Sequence, residues 1–145
     1  MRPCFDPLAL SLRRDRRGDR VRFVAASPAI SSVAGEWVVS PASDRTGYRL
    51  ESRASGDGAS ITSIGVCPGT IQLPPGGEPI VLMADAPTVG GYRVAGAVAT
   101  ADLGKFAQLT PGAKVVFEEV TVETAQRLLF EESERIQRIR DWALG

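Results

Sequence analysis

Short apolar runs separated by turn-forming residues make up most of the chain, and the longest falls well short of the roughly 20 residues that a membrane-spanning helix needs. Runs of this length, rich in β-branched residues or alternating between apolar and polar positions, are typical of β-strands. The pattern therefore predicts seven short strands, at residues 21–25, 36–40, 48–52, 61–66, 79–84, 94–99 and 114–120.

Two helices are predicted near the end of the chain. The first covers residues 102–109, with Asp102 helping to start it, and a Thr-Pro-Gly sequence ends it. The second follows Thr121, a favoured N-cap residue. Its apolar residues recur at helical spacing, at Val122, Ala125, Leu128, Leu129, Ile136 and Ile139. We expect a mainly β fold, a small barrel or curled sheet with two helices, one at the C-terminus.

Composition limits the classes of function. The 145 residues carry 17 basic and 17 acidic side chains, so the net charge of zero gives no support for nucleic-acid or membrane binding. Histidine is absent, which excludes a Ser-His-Asp triad, a Cys-His pair and His-based zinc sites within this chain. The spacing of Asp44, Asp85 and Asp102 fits no calcium-binding loop, so no metal site is predicted.

The start of the chain is rich in arginine but has no apolar segment leading to a small-residue cleavage site, so we expect no signal peptide. We accordingly interpret Cys4 and Cys67 as reduced thiols of a cytoplasmic protein rather than as a disulfide. Cys67 is expected to be a small buried residue, since no histidine can activate it. Residues 1–20 are interpreted as an atypical, flexible segment before a folded domain at 21–145; a phosphate-binding arm is the alternative.

Two polar loops hold the candidate functional residues. Residues 41–47 are dense in turn formers, and a second, glycine-bearing loop is predicted at 86–92, directly after Asp85. Together they could polarise an amide or a carboxylate, or hold a phosphoryl group. Arg45 could instead pair with its neighbour Asp44 or clamp loop carbonyls, and Asp85 could bond to loop amides. The candidates are Ser43, Asp44, Arg45, Tyr48, Asp85, Thr88, Gly90, Gly91 and Tyr92.

Three motifs make the interpretation more specific. Two of them read WVVSPASDRTGYRLES from Trp37 and GTIQLPPGGEPIVLMADAPTVGGY from Gly69, and the third, ADLGKFAQLTPG, starts at Ala101. In order and spacing they closely resemble the KipA family, whose members are also called the C subunit of 5-oxoprolinase or allophanate hydrolase subunit 2. The same domain forms the second half of the carboxyltransferase domain of urea carboxylase.

The resemblance implies a cyclophilin-like β-barrel of the carboxyltransferase type over residues 21–145, corresponding to the C-terminal subdomain of relatives about twice as long. In the 5-oxoprolinase role, relatives act with a KipI-like subunit and a LamB/YcsF-type subunit in the ATP-dependent opening of 5-oxoproline to glutamate. ATP is then a cofactor of the assembled complex. Because the first subdomain of the family is missing from this sequence, we do not expect activity from this chain alone.

Two alternatives remain open under the same resemblance. The chain could be a fragment of a biotin-dependent carboxyltransferase, and biotin is a cofactor only under that interpretation. It could also be a non-catalytic module that binds and antagonises a KipI-like inhibitor of a sensor kinase. All three alternatives involve a protein partner, and the two enzymatic ones also involve a small-molecule substrate.

The resemblance also assigns roles by position. Asp85, Thr88 and Tyr92 are the implied catalytic residues, with Asp85 orienting or deprotonating and Thr88 facing a developing oxyanion. The implied substrate- or phosphate-binding residues are Ser43, Asp44, Arg45, Tyr48, Gly90 and Gly91. Where relatives read ADRQTTGGYP, this chain reads ADAPTVGGYR, so an Arg and a Gln are replaced by Ala86 and Pro87, and a Pro by Arg93. Losing polar donors at such a site weakens catalysis.

Overall fold

The computed structural model describes residues 19–27, 33–51 and 58–144. Within these ranges the chain forms eight strands and two helices. In chain order they are β1 (Asp19–Ala25), β2 (Gly35–Val39), β3 (Gly47–Glu51), β4 (Ser60–Gly65), β5 (Thr70–Leu73), β6 (Ile80–Leu82), β7 (Val89–Val98), α1 (Thr100–Phe106), β8 (Lys114–Glu119) and α2 (Val122–Leu144).

Seven of these strands close into a barrel. Their order around it is β1-β8-β2-β3-β6-β5-β7, and β7 pairs back onto β1. The β1–β8 pairing is parallel, and the other pairings are antiparallel. The remaining strand, β4, pairs with the first part of β7 and is exposed along its whole length. The structure thus confirms the predicted mainly β barrel with two helices, one of them at the C-terminus.

Three strands differ most from the prediction, and α1 starts and ends two to three residues earlier than predicted. Strand β5 is not predicted, because its four residues before Pro74 are too few to show a hydrophobic period. All four are nevertheless buried. The predicted loop at 86–92 ends early, since β7 begins at Val89 and continues through Gly90 and Gly91, residues that are usually unfavourable in strands. Strand β1 includes Asp19 and Arg20, which the sequence pattern places in the flexible segment; residues 1–18, including Cys4, lie outside the described ranges.

The core fills the inside of the barrel. It contains inward-facing residues such as Val21, Leu50 and Val81, all fully buried. A chain of aromatic rings crosses it, from Phe23 to Phe117 at 6.0 Å between centroids, from Phe117 to Phe106 at 5.9 Å, and from Phe106 to Tyr48 at 5.4 Å. Helix α1 therefore plugs the barrel with Phe106 and connects the core to the ring of Tyr48.

Asp102 does not cap α1 as predicted. No side chain caps the start of this helix, and the Asp102 side chain, only 3% exposed, is directed at Arg22 of β1. Burial alone would raise the pKa of Asp102, but the hydrogen bonds from Arg22 and the nearby charge of Lys105 hold it below its ordinary value. The aspartate therefore fastens the helix to the barrel wall.

Helix α2 starts as predicted but is packed loosely. The Thr121 hydroxyl accepts a hydrogen bond from the backbone N–H of Thr124 at 3.2 Å, so Thr121 is the N-cap. None of the 23 residues of α2 is buried, and Phe130 is 64% exposed. Its charged side chains pair along the helix, as between Arg135 and Glu132. In the described ranges, neither helix has an apolar stretch long enough to span a bilayer.

Candidate functional site

The first polar loop is shaped by its own side chains. The Asp44 carboxylate accepts hydrogen bonds from the backbone N–H groups of Thr46 at 2.8 Å and Gly47 at 3.1 Å. The hydrogen bond from Gly47, followed by that from Thr46, lowers the pKa of Asp44. The Ser43 hydroxyl accepts from the backbone N–H of Arg49 at 3.0 Å and lies 3.3 Å from its carbonyl oxygen, to which it can donate. Ser43 and Asp44 thus hold the turn in place.

Arg45 projects from this turn and meets Asp85 from the second loop. The Arg45 Nε lies 2.9 Å from one oxygen of Asp85, and Nη2 lies 3.2 Å from the other. The two loops are also joined through the backbone, because the Asp85 N–H donates to the Arg45 carbonyl at 3.0 Å. The expected neighbour of Arg45 is Asp44, but its carboxylate partner is Asp85. This fork-like pair is solvent-exposed, so it orients two charged groups while contributing little stability.

A cavity of about 300 Å³ lies beside this pair at the mouth of the barrel. We call it the mouth cavity. Its polar side is formed by the Ser43–Arg45 turn and Tyr48, whose hydroxyl donates to the carbonyl of Ala107 at 3.1 Å. Its apolar lining includes Val39, Met83, Leu109 and Pro111. The volume is at the lower end of the range of small-molecule sites, ~300–1,000 Å³, and the Arg45 guanidinium at this apolar opening can orient an anionic ligand.

The remaining predicted site residues lie elsewhere. Thr88, Gly90, Gly91 and Tyr92 are not among the described residues that line the mouth cavity. The Thr88 carbonyl accepts from the N–H of Val66, and Tyr92 lies opposite Ser60 in the β4–β7 pairing with 39% of its surface exposed. The structure therefore brings Ser43, Asp44, Arg45, Tyr48 and Asp85 together and leaves the other four on β7 or just before it.

A second cavity, of about 280 Å³, lies on the other side of the same turn. We call it the outer-face cavity; its lining includes Gly47, Arg49, Gln72, Ile80 and Leu82. Side chains alternate between the two faces of a strand. Since Leu50, Ile71 and Val81 face the core, their neighbours Arg49, Gln72 and Ile80 face outward.

Gln72 is not among the predicted site residues, although it belongs to the I-Q-L-P-P motif. The residue is only 5% exposed, and its amide nitrogen has no hydrogen-bond partner among the described residues. Gly90 lies directly against it, because a Cβ atom at residue 90 would be 2.2 Å from that nitrogen. A polar residue at an otherwise buried position of a very short strand is the signal that could have identified Gln72.

Cys67 differs from the prediction of a buried thiol. It is exposed, and its sulfur lies 3.7 Å from the hydroxyl of Thr70. Its position at the turn between β4 and β5 leaves the side chain on the surface. In the part of the chain that the structure describes, no three His, Cys, Asp or Glu side chains are grouped closely enough to hold a metal ion.

Comparisons with known proteins agree on one family. Residues 12–119 match the family model described as "Carboxyltransferase domain, subdomain A and B". The chain is 40% identical over 95 residues to the C subunit of 5-oxoprolinase from Haemophilus influenzae, an alignment that covers 64% of this chain and 31% of the relative. It is 37% identical over 91 residues to the Escherichia coli protein of the same name, covering 61% and 29%.

The fold has a solved counterpart in a larger enzyme. The structure is similar to the crystal structure of urea amidolyase from K. lactis, with a TM-score of 0.71 and 24% identity over 82% of this chain and 8% of that chain. At this identity the similarity shows the fold alone. The chain spans about a third of the length of the curated relatives it matches.

Proposed function

Because the chain belongs to the carboxyltransferase domain family (subdomains A and B), we propose that it is part of a 5-oxoprolinase-type enzyme. Such an enzyme adds water across the lactam C–N bond of 5-oxoproline to give glutamate, and it couples this step to hydrolysis of ATP. The support is the 37–40% identity to proteins named as the C subunit of 5-oxoprolinase. The urea amidolyase structure is 24% identical, which supports a shared fold rather than a shared substrate.

The observation that carries the proposal at atomic level is the Arg45–Asp85 pair at the mouth cavity. Arg45 presents a planar cation that can hold a carboxylate or a phosphate, and in this proposal it binds the anionic group of substrate or nucleotide. Asp85 keeps the guanidinium in position. Once Arg45 engages a ligand, the Asp85 carboxylate is free to orient the substrate or to accept a proton. The adjacent Tyr48 closes one side of the cavity.

The proposed enzyme is a complex. Relatives named as one lettered subunit of 5-oxoprolinase imply other subunits for those proteins, and we propose for this chain a KipI-like subunit and a LamB/YcsF-type subunit. ATP would be bound in the assembled complex. The oxyanion role suggested for Thr88 and the amides of Gly90 and Gly91 remains a prediction, and it requires a substrate that reaches β7 as well as the mouth cavity.

The test is reconstitution. The chain is combined with candidate KipI-like and LamB/YcsF-type subunits, and ADP release is measured with and without 5-oxoproline, together with glutamate formation. The proposal predicts ADP and glutamate formation that depend on both 5-oxoproline and this chain. A stable complex without turnover would instead support a partner-binding module. Turnover only with a biotinylated carrier and urea would support the carboxyltransferase interpretation. A complex without turnover and turnover of urea alone would each overturn the proposal.

A further inference from the structure

Three adjacent strands place a row of side chains on the outer face of the barrel. Arg49 of β3 is in register with Ile80 of β6, and Ile80 is in register with Gln72 of β5. Since neighbouring strands are about 4.8 Å apart, the Cα atoms of Arg49 and Gln72 are separated by roughly 10 Å. A guanidinium and an amide therefore lie at the two ends of the outer-face cavity, with Ile80 and Leu82 between them.

Gln72 supplies a hydrogen-bond donor that the protein does not use. Its side-chain nitrogen is buried and has no partner among the described residues, and a buried donor without an acceptor destabilises a fold. The side chain lines the outer-face cavity, and a turn about its last bond, which exchanges the amide nitrogen and oxygen, can direct the N–H groups into it. In that orientation an acceptor from a bound molecule would pair with the nitrogen.

The surroundings of Gln72 make room for this amide. Gly90 has no side chain at the point where a Cβ would come within 2.2 Å of the Gln72 nitrogen. Gly47 also leaves space on the other side of the cavity. A Cβ atom at residue 47 would come within 2.8 Å of the Ile80 side chain. Gly47 thus lines the cavity itself, whereas Gly90 leaves room for the Gln72 amide.

The charges around the cavity favour an anion at its Arg49 end. In the described part of the chain, the Arg49 guanidinium forms no salt bridge, unlike Arg45, which is paired with Asp85. Asp44 also lines the cavity, but one of its oxygens is occupied by the N–H groups of Thr46 and Gly47. The charge of Arg49 does act on Asp44, whose pKa it helps to lower, but the described residues form no ion pair between the two, so the guanidinium can still engage a ligand.

We propose that the outer-face cavity binds a short acid with oxygen acceptors at both ends: a carboxylate at Arg49 and a carbonyl or second carboxylate at Gln72. Both 5-oxoproline and glutamate have this chemistry. The volume of about 280 Å³ suits a compact molecule of this kind. The site is distinct from the mouth cavity and needs neither a partner subunit nor ATP, so it stands or falls separately from the proposed enzyme.

The direct test follows the side-chain amide signals of Gln72 by NMR in the full chain. The protein is titrated in parallel with 5-oxoproline, glutamate, cyclopentanecarboxylate (a carboxylate alone) and 2-pyrrolidinone (a lactam alone). We expect saturable shifts with 5-oxoproline or glutamate, and the tighter of the two identifies the ligand. The two single-group probes should bind about tenfold more weakly or worse. No saturable shift of Gln72 with any of the four would overturn the proposal.

Variants locate the binding. Gln72→Leu and Arg49→Met should each weaken binding of the responsive acid at least tenfold, as measured by calorimetry, while Arg140→Met on α2 should leave it unchanged. Arg45→Met distinguishes the two cavities, and we expect the saturable shift of the Gln72 amide signals to persist in it. Loss of binding in Arg45→Met with retention in Arg49→Met would place the acid in the mouth cavity and overturn the proposal. If a variant does not fold, the titration of the wild-type protein alone tests whether the outer-face cavity binds the acid.

Discussion

The carboxylate of Asp102 is enclosed by hydrogen bonds from Arg22, although the two residues are 80 positions apart. One carboxylate oxygen accepts from the backbone N–H and from Nε of Arg22, both at 2.8 Å, and the other accepts from Nη2 at 2.5 Å. The pair ties α1 to β1. Because Ala107 and Leu109, which follow α1, line the mouth cavity, this contact also positions one wall of the candidate site.

Arg22→Met should destabilise the protein strongly. It leaves the buried Asp102 carboxylate without its main partner, a change that typically costs about 3–5 kcal/mol. Urea unfolding measures the loss. Arg135→Met is the matched control, since Arg135 forms a partly exposed pair with Glu132 within α2 and should cost at most about 1 kcal/mol. Equal costs in the two variants would show that the Arg22–Asp102 pair does not fasten the helix.

The same pair makes stability depend on pH in the acid range. The pKa of Asp102 is lower in the folded protein than its ordinary value, so the folded state holds its proton less tightly than the unfolded state. The resulting stabilisation is present above the ordinary aspartate pKa and is lost as pH falls through the lowered folded pKa.

Urea unfolding between about pH 6 and pH 2 checks this dependence. The wild-type protein should lose stability as the pH falls, and Asp102→Asn, which cannot titrate, should lose less over the same interval. Parallel curves for the two proteins would mean that Asp102 titrates normally in the fold.

Gly90→Ala should damage the structure through Gln72. The added Cβ would lie 2.2 Å from the Gln72 nitrogen, so we expect a loss of roughly 1–3 kcal/mol from the clash. Gln72→Ala removes the obstructing amide, and the double variant should recover much of the loss caused by Gly90→Ala. A double-mutant cycle of unfolding free energies measures this coupling. Additive effects would show that the two residues do not meet.

The exposed apolar residues of α2 should matter little to the stability of the barrel. Phe130 is 64% exposed, so Phe130→Ser should change the free energy of unfolding by no more than about 0.5 kcal/mol. Phe106→Ala, which removes the ring that plugs the barrel, should cost about 3–5 kcal/mol. Thermal or urea unfolding of the two variants provides the comparison, and a large cost for Phe130→Ser would reveal packing of α2 onto the barrel.

Much of the fold could be predicted from the sequence because the strands alternate or are strongly apolar, and because Thr121 marks the start of α2. Strand β5 could not be predicted, since the four residues before Pro74 are too few to show a hydrophobic pattern. The role of Asp102 was also hidden, because its partner Arg22 lies at the other end of the chain. Local sequence patterns identify helices and strands, whereas contacts between distant residues, such as Arg22 and Asp102, depend on closure of the barrel.

The candidate site was predictable in part for the same reason. The motifs pointed to Arg45 and Asp85, and the structure joins them because the loop and the end of β6 are neighbours across the β3–β6 pairing. The sequence pattern places Gly90 in a polar loop because of its neighbours along the chain. The contact of Gly90 with Gln72 is indicated by no local signal, and even in the β5–β7 register Gln72 lies opposite Val94.

The central claim is that Arg45 acts at the site of a 5-oxoprolinase-type enzyme, and the most direct measurement is steady-state kinetics of the reconstituted complex containing Arg45→Ala. Arg140→Ala, on the exposed surface of α2, is the control. We expect Arg45→Ala to lower kcat/KM for 5-oxoproline-dependent ADP release by roughly 10- to 100-fold, as loss of a charged contact to the substrate or nucleotide should, with complex formation and stability unchanged. Turnover equal to that of the control in a fully assembled complex would contradict the account.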